Sequence, residues 1–295
     1  MNTGVTRQFA MSVSELAHVI VTSTRYKPEA HAPALELVAL LEQAGCRVTL
    51  DLEGTGALDQ VKDASLVIAV GGDGTILSTA RRMAGLSVPV LGVNLGKLGF
   101  LADHGLSDVR SWLSGGRDPD WLLSRRMMLE LTLEREPDLL RYGLNDVIVS
   151  QGVMTRLISI DMFVAGRHAT QYRADGVVIS TPTGSTAYSL SLGGPILSQG
   201  LMALVITPIA PHSLTDRPIV LDGGAELVFE IKSASDEMAL VIDGQERVDL
   251  RKGDRFHVRR APGDLLLVTS GERAYFDVLR QKLGWGVLQS NNNPG

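Results

Sequence analysis

The sequence predicts an α/β N-terminal domain with a parallel sheet, followed by an all-β C-terminal domain. Three observations predict it. Through the first 105 residues, apolar β-rich runs alternate with helical patterns. After about residue 124 the runs become short, closely spaced and bounded by turn residues. The chain has 295 residues, about two domains of roughly 150. With 44% apolar and 21% charged residues it can bury a sizeable core.

Residues 1–14 are polar and unpatterned and read as a loose tail. Ala17–Thr22 is a short apolar strand, and Pro28–Ala44 carries Leu37, Val38, Leu41 and Ala44 at helical spacing. Gly45 stops that helix and Arg47–Leu52 resumes a strand. Leu66–Val70 is a continuous β-rich run that ends on glycines, Thr75–Ala84 reads as helix, and Val88–Val93 as strand. Val, Ile and Leu runs separated by helices describe a parallel sheet covered on both faces. The strands predicted next are Leu129–Glu134, Asp146–Ser150, Leu157–Val164, Val177–Ser180, Leu227–Ile231, Met238–Ile242, Arg255–Arg259 and Leu265–Thr269. The division this gives is an α/β domain at 1–124 and a β-rich domain at 125–271. A helical pattern at Glu272–Leu283, within 272–295, returns to pack on the first domain.

Composition excludes several functions. Lys and Arg total 28 against 33 Asp and Glu, a net charge of −5, and the basic residues are scattered, which argues against nucleic acid as a partner. The one cysteine, Cys46, forms no intrachain disulfide and reads as a buried thiol. No basic start precedes an apolar stretch, and no run reaches the ~18 apolar residues that span a bilayer, so the expectation is a cytoplasmic protein with no membrane partner. The six histidines show no HExxH pairing, so no metal site built by the protein is expected. Trp121, Met127 and Met128 read as core or interdomain packing.

Gly71-Gly72-Asp73-Gly74-Thr75 follows a predicted buried strand and opens a helix. Ligands dock at that end of an α/β strand, and glycines with free N–H groups at a helix start accept a phosphate. An Asp there repels the anion unless it handles a proton beside a transferred phosphoryl group. A tight turn whose Asp caps the helix accounts for the same residues, and both readings stay open. On the first, Gly72 meets the phosphate, at positive φ or with no room for a Cβ. The motif is neither a Walker loop nor a dinucleotide fingerprint: in Gly92–Leu98 the spacing is one residue short and no Ser or Thr follows Lys97. The strand Val177–Ser180 runs into Thr181-Pro182-Thr183-Gly184-Ser185-Thr186, whose hydroxyls can encircle a polar ligand or satisfy their own backbone. Tyr188 adds a flat face suited to a base or ribose.

Taken together, Gly71–Thr75 (GGDGT), Asn145-Asp146, Asp175–Ser191 (DGVVISTPTGSTAYSLS) and Asp243-Gly244-Gln245 resemble the NAD kinase family, and Gly92–Leu101 and Pro211–Leu221 are similar to it as well. GGDGT alone is shared with diacylglycerol kinase-like and phosphofructokinase relatives; the STPTGSTAYSLS segment is what points to NAD kinases. The resemblance implies an NAD kinase/diacylglycerol kinase-like fold. It also implies phosphorylation of the 2′-hydroxyl of the adenosine ribose of NAD by ATP, giving NADP. Asp73 would be the proton acceptor, with Gly74 beside the substrate. Asn145, Asp146, Asp175, Thr186, Ala187, Tyr188, Ser189, Leu190, Ser191 and Gln245 would line the dinucleotide site, with Arg156 and Arg173 as further contacts. The resemblance also implies Mg²⁺ or another divalent cation, held mainly through ATP phosphates, and a homodimer or homotetramer. Two alternatives are a lipid kinase sharing GGDGT and a non-catalytic NAD or NADP sensor.

Overall fold

The structure is a computed structural model that describes residues 7–9, 11–55, 62–96, 99–116, 119–151, 157–213, 215–233 and 237–284. Its first part runs β1 Arg7–Gln8, β2 His18–Thr22, α1 His31–Gln43, β3 Arg47–Asp51, β4 Leu66–Val70, α2 Asp73–Arg82, β5 Val90–Asn94, β6 His104–Gly105, α3 Leu106–Leu113 and β7 Leu122–Arg126. Then follow β8 Leu129–Leu133, β9 Glu136–Gly143, β10 Asp146–Ser150, β11 Ile158–Val164, β12 Arg167–Ala174, β13 Gly176–Ser180, and the one-turn α4 Tyr188–Ser191. The chain continues through β14 Ala203–Ile209, β15 Ile219–Asp222, β16 Leu227–Ser233, β17 Ala239–Ile242, β18 Glu246–Asp249, β19 Arg255–Arg260, β20 Leu265–Thr269 and α5 Glu272–Leu283.

An eight-stranded sheet has the order β1-β7-β20-β5-β4-β2-β3, with β6 beside β5. Its centre, from β3 to β20, is parallel, whereas β7 and β1 add an antiparallel edge. Every residue of β2, β4, β5 and β20 is buried, which is why these strands read as unbroken apolar runs rather than alternating ones. Ala34, Leu37 and Leu41 of α1 join Val109, Trp112 and Leu113 of α3 in one core layer, and Ile76, Leu77 and Ala80 of α2 lie in another. Chain order reverses between β2, whose sequence successor β3 lies on one side, and β4, whose successor β5 lies on the other. The carboxyl ends of β2 and β4 therefore flank the crevice where open α/β sheets take ligands.

The second part is a sandwich of two antiparallel six-stranded sheets, β15-β14-β13-β10-β17-β18 and β12-β11-β16-β19-β8-β9. Val147, Val149, Val177 and Ile179 of the first sheet meet Ile160, Phe229, Phe256 and Val258 of the second in one core. The Phe229 and Phe256 rings stack there at 5.1 Å.

The structure corrects two sequence expectations. β20 does not belong to the β-rich part: it sits between β5 and β7 in the first sheet, so the boundaries 1–124 and 125–271 give way to a first domain that takes back residues 265–283. A continuous run such as LLLVT fits a parallel sheet as well as a sandwich, and only the partner strand decides. The segment 1–14 is not a loose tail over its described residues. β1 pairs with β7, and Phe9, 7% exposed, packs against Trp112 and Trp121 with ring centroids 6.4 Å away in both cases. Cys46 is buried, as are Trp121, Met127 and Met128.

Emptying the space beside two tryptophans leaves a cavity, so Phe9→Ala is expected to destabilise the fold by about 3 kcal/mol. Denaturant titration checks this; an unchanged midpoint would return the segment to the status of a tail.

Candidate functional site

The turn after β4 has the shape its sequence requires. Gly71 packs under Thr75: a Cβ at Gly71 would lie 2.2 Å from the Thr75 hydroxyl. Gly72, by contrast, has an extended backbone at φ −114°, and a Cβ there would meet only the Lys27 ammonium, at 3.0 Å. The expectation that Gly72 is the constrained glycine is therefore corrected to Gly71. The Thr75 hydroxyl is buried and has no hydrogen-bond partner among the described residues.

Asp73 is the first residue of α2, where its charge suits the helix dipole. Its carboxylate accepts three backbone N–H groups, Phe100 on Oδ2 and Leu101 and Ala102 on Oδ1, each at 3.0 Å. Gly99 makes that approach possible, since a Cβ there would fall 1.9 Å from Oδ1. A carboxylate offers about four lone-pair sites, so one on Oδ2 stays available.

Asp73 faces a cavity of about 330 Å³ lined also by Phe100, Leu101, Asn145, Thr183, Thr186, Ala187, Lys282 and Leu283. Asp73, Asn145, Thr186 and Ala187, nominated from the sequence, thus converge from three separate stretches of chain. Thr183 belongs to the hydroxyl-rich stretch singled out in the sequence, and Phe100 and Leu101 to the segment Gly92–Leu101, whereas Lys282 and Leu283 carried no functional expectation. α5 closes this side: Tyr275 packs its ring 6.2 Å from Phe100, and the Lys282 ammonium lies 5.2 Å from the Phe100 ring centre.

On the other side of the α2 N-terminus lies a cavity of about 530 Å³. Gly74, Thr75, Ser78 and Arg81 of α2 form one wall, the turn Thr24–Lys27 after β2 another, and Gly244 and Gln245 a third. The turn is pinned by Arg25 N–H to the Glu53 carbonyl at 3.4 Å and Lys27 N–H to the Thr24 carbonyl at 3.0 Å. Gln245 lines this cavity, not the one at Asn145, and its amide donates to the Gly74 carbonyl at 2.9 Å.

Asp243 ties both sides together. It starts the tight turn between β17 and β18, with φ 50°, followed by Gly244 at φ 67°, the left-handed pair that an Asp-Gly hairpin turn supplies. Its side chain is 0% exposed and pairs with the Arg81 guanidinium at 3.0 Å. The same carboxylate accepts the N–H groups of Leu144, Asn145 and Asp146 at 2.7–3.2 Å. Arg81 also donates to the Gln245 side chain at 2.6 Å.

Asp146 is 4% exposed, and burial, assisted by the Asp243 charge, pushes its carboxyl up to about 7. It is not among the residues lining either cavity.

The hydroxyl-rich segment after β13 is mostly architecture. Thr181 Oγ1 donates to the Leu144 carbonyl at 2.6 Å, Ser185 Oγ to Pro182 at 2.7 Å, and Thr186 Oγ1 to Thr183 at 3.2 Å. Gly184 presses on Asn145, whose carbonyl would be 2.1 Å from an added Cβ. Ser189, expected to line the site, is buried and spends its hydroxyl on Thr207 at 2.8 Å. Tyr188 is half exposed, and neither it nor Leu190 nor Ser191 lines the cavity beside Asp73.

Asp175 and Arg173 are not brought to that cavity either. β13 runs antiparallel to β10 with Asp146 opposite Ser180 and Ser150 opposite Gly176, so Asp175 lies a strand length, roughly 17 Å, from the Asn145 end. There Asp175 accepts the Gln151 amide at 3.0 Å, and Arg173 is exposed on the edge strand β12. Arg156 lies outside the described residues.

Residues 56–115 match the family model of the ATP-NAD kinase N-terminal domain, and residues 144–270 that of the ATP-NAD kinase C-terminal domain. The NAD kinase of Geobacter metallireducens is 44% identical over 225 residues, 76% of this chain and 80% of that protein. The NAD kinase of Geobacter sulfurreducens is 40% identical over 272 residues, 88% and 96% of the two chains. Among solved structures, yeast NADH kinase complexed with NADH superposes with a TM-score of 0.81 at 25% identity, covering 92% of this chain and 89% of that one. The NAD kinase from Archaeoglobus fulgidus in complex with ATP gives 0.71 at 22%, covering 91% and 100%, a likeness of fold.

Because the Asp146 carboxyl is raised in the folded state, the native protein binds a proton there that the unfolded chain releases. Stability from this group is therefore complete below pH ~4 and is lost as pH rises through about 7. Across that window the loss is on the order of 4 kcal/mol. Asp146→Asn is expected to flatten this component in melts taken from pH 5 to 8; a variant whose melting temperature falls with pH as steeply as wild type contradicts it.

Proposed function

The chain belongs to the NAD kinase family, and from that premise we infer that it transfers the terminal phosphoryl group of ATP to the 2′-hydroxyl of the adenosine ribose of NAD, yielding NADP and ADP. The observation that carries the assignment of sides is that one helix start divides two cavities. Asp73 faces one, while Gly74 and Thr75 face the other. Direct transfer needs the two substrates to meet at one point, and the start of α2 borders both cavities.

On this reading the dinucleotide enters the cavity of Asp73, Asn145, Thr186 and Ala187, and the donor phosphates lie in the cavity of Gly74, Thr75 and Lys27. Lys27, the orphaned Thr75 hydroxyl and the first N–H groups of α2 suit an anion. Asp73 is held rigidly by three N–H groups, and the remaining lone pair on Oδ2 orients the ribose hydroxyl. The hydroxyl oxygen attacks the terminal phosphorus, the bond to ADP breaks, and the hydroxyl proton passes to Asp73. Phosphoryl transfer draws chiefly on positioning and charge neutralisation. Among the described residues no cluster of three or more His, Cys, Asp or Glu side chains could hold a metal ion, so a divalent cation would travel on the donor phosphates, and no step is assigned to it.

A cytoplasmic homo-oligomer belongs to the same proposal. Among the described residues no helix is long and apolar enough to cross a membrane. The edge strand β15 exposes Ile219 and Val220, an edge that a second copy can cover.

Incubation with NAD, ATP and Mg²⁺ is expected to produce NADP, and Asp73→Asn to lower kcat by about 10²–10⁴-fold. An amide cannot accept from all three N–H groups, so the variant is also expected to melt earlier, by the equivalent of about 1–3 kcal/mol. Turnover by the variant equal to wild type would remove Asp73 from the chemistry.

A further inference from the structure

The donor-side cavity is larger than a phosphate chain alone requires, and its outer wall has a feature that phosphate binding does not explain. Tyr26, 77% exposed, stands at the rim between Arg25 and Lys27. One face of its ring is covered by the Arg25 guanidinium, 5.0 Å from the ring centre, and the Tyr26 hydroxyl accepts from Arg25 Nη2 at 3.0 Å. The ring is therefore held in place by its neighbour while most of its surface remains in water. The free face of the ring, at the mouth of a polar cavity, offers a flat apolar surface to a planar ligand.

The cations are sorted along the cavity. Lys27 sits over Gly72, beside the α2 N-terminus, and Arg81 is engaged with Asp243 and Gln245. Arg25 is engaged with Tyr26, and among the described residues Glu53 is the one acidic residue lining this space. Phosphates gathered at Gly74, Thr75 and Lys27 share their cavity with the Tyr26 ring, which a nucleoside attached to them can meet. Gly54 fixes the adjoining wall: at φ 68° it packs so close to the turn after β2 that a Cβ would lie 2.8 Å from the Ser23 carbonyl, and its N–H donates to Asp51 at 3.0 Å.

We propose that the open face of the Tyr26 ring, backed by Arg25, stacks the nucleobase of the donor, and so makes this chain select a nucleoside triphosphate over a base-free polyphosphate. This rests on placing the donor phosphates in the same cavity. Stacking is tolerant of base identity because every base presents a π-face, so nucleoside triphosphates as a class are the ligands expected.

Equilibrium binding tests it without depending on turnover. Calorimetric titration of the full chain with ATP, and separately with inorganic tripolyphosphate, is expected to show Tyr26→Ala weakening ATP about tenfold and leaving tripolyphosphate unchanged. Tyr26→Phe, which keeps the ring, is expected to restore most of the ATP affinity. Lys27→Gln is expected to weaken both ligands together. An ATP affinity unchanged in Tyr26→Ala overturns the stacking role, as does an equal loss for tripolyphosphate, which would mean that the turn itself had collapsed. Failure of the wild-type chain to form NADP would instead overturn the catalytic reading.

Discussion

One buried carboxylate holds the two domains in working relation. Asp243 belongs to a hairpin of the sandwich, yet its side chain reaches Arg81 on α2 of the other domain and gathers the N–H groups of Leu144, Asn145 and Asp146. Asn145, which lines the smaller cavity with Asp73, is bound to this turn through its backbone N–H at 2.7 Å. A fully buried charge is tolerable where it is paired and its lone pairs are satisfied, and Asp243 meets both conditions. The left-handed backbone at φ 50° is accessible to Asp, so the turn and the interdomain contact are served by one residue. Its charge has a further consequence, since it adds to burial in raising the Asp146 carboxyl.

Around this centre, close backbone approach shapes the site more than side-chain hydroxyls do. Gly99 admits the Asp73 carboxylate, Gly184 admits the Asn145 carbonyl, and Gly71 admits Thr75. The Ser and Thr residues between Ser180 and Ser189 then lock the intervening loop by bonding to its backbone and to Thr207. The result is a rigid frame in which the few groups left facing the cavities are held at fixed positions.

Much of this was legible in the sequence, for local reasons. A strand running into glycines and then a helix leaves few foldings open, and Asp73 at the helix start followed from that. Asn145, Thr186 and Ala187, which the resemblance groups with Asp73, line the same cavity as that residue. Other features depend on partners far along the chain. The role of Asp243 involves Arg81, 162 residues away, and its place in the family-like motif Asp243-Gly244-Gln245 did not reveal that partner. β20 looked like its neighbours in sequence but found its partner in the first sheet. Ser189 and Asp175 carried the right residue types, but the register of β13 with β10 and the depth of α4 send them elsewhere. Lys27 and Arg81 left a fainter signal, as basic residues just beyond β2 and within α2, the elements that flank the crevice.

The most direct test is the activity of Asp243→Asn. Asn tolerates the same left-handed backbone, so the hairpin is not strained, but its amide offers one oxygen where four donors converge and carries no charge for Arg81. Stranding even one or two buried donors costs about 1–3 kcal/mol each. The expected variant retains its far-ultraviolet dichroism while kcat/KM for NAD falls about a hundredfold. A folded variant with wild-type kcat/KM would contradict the claim that this carboxylate positions Asn145 opposite Asp73.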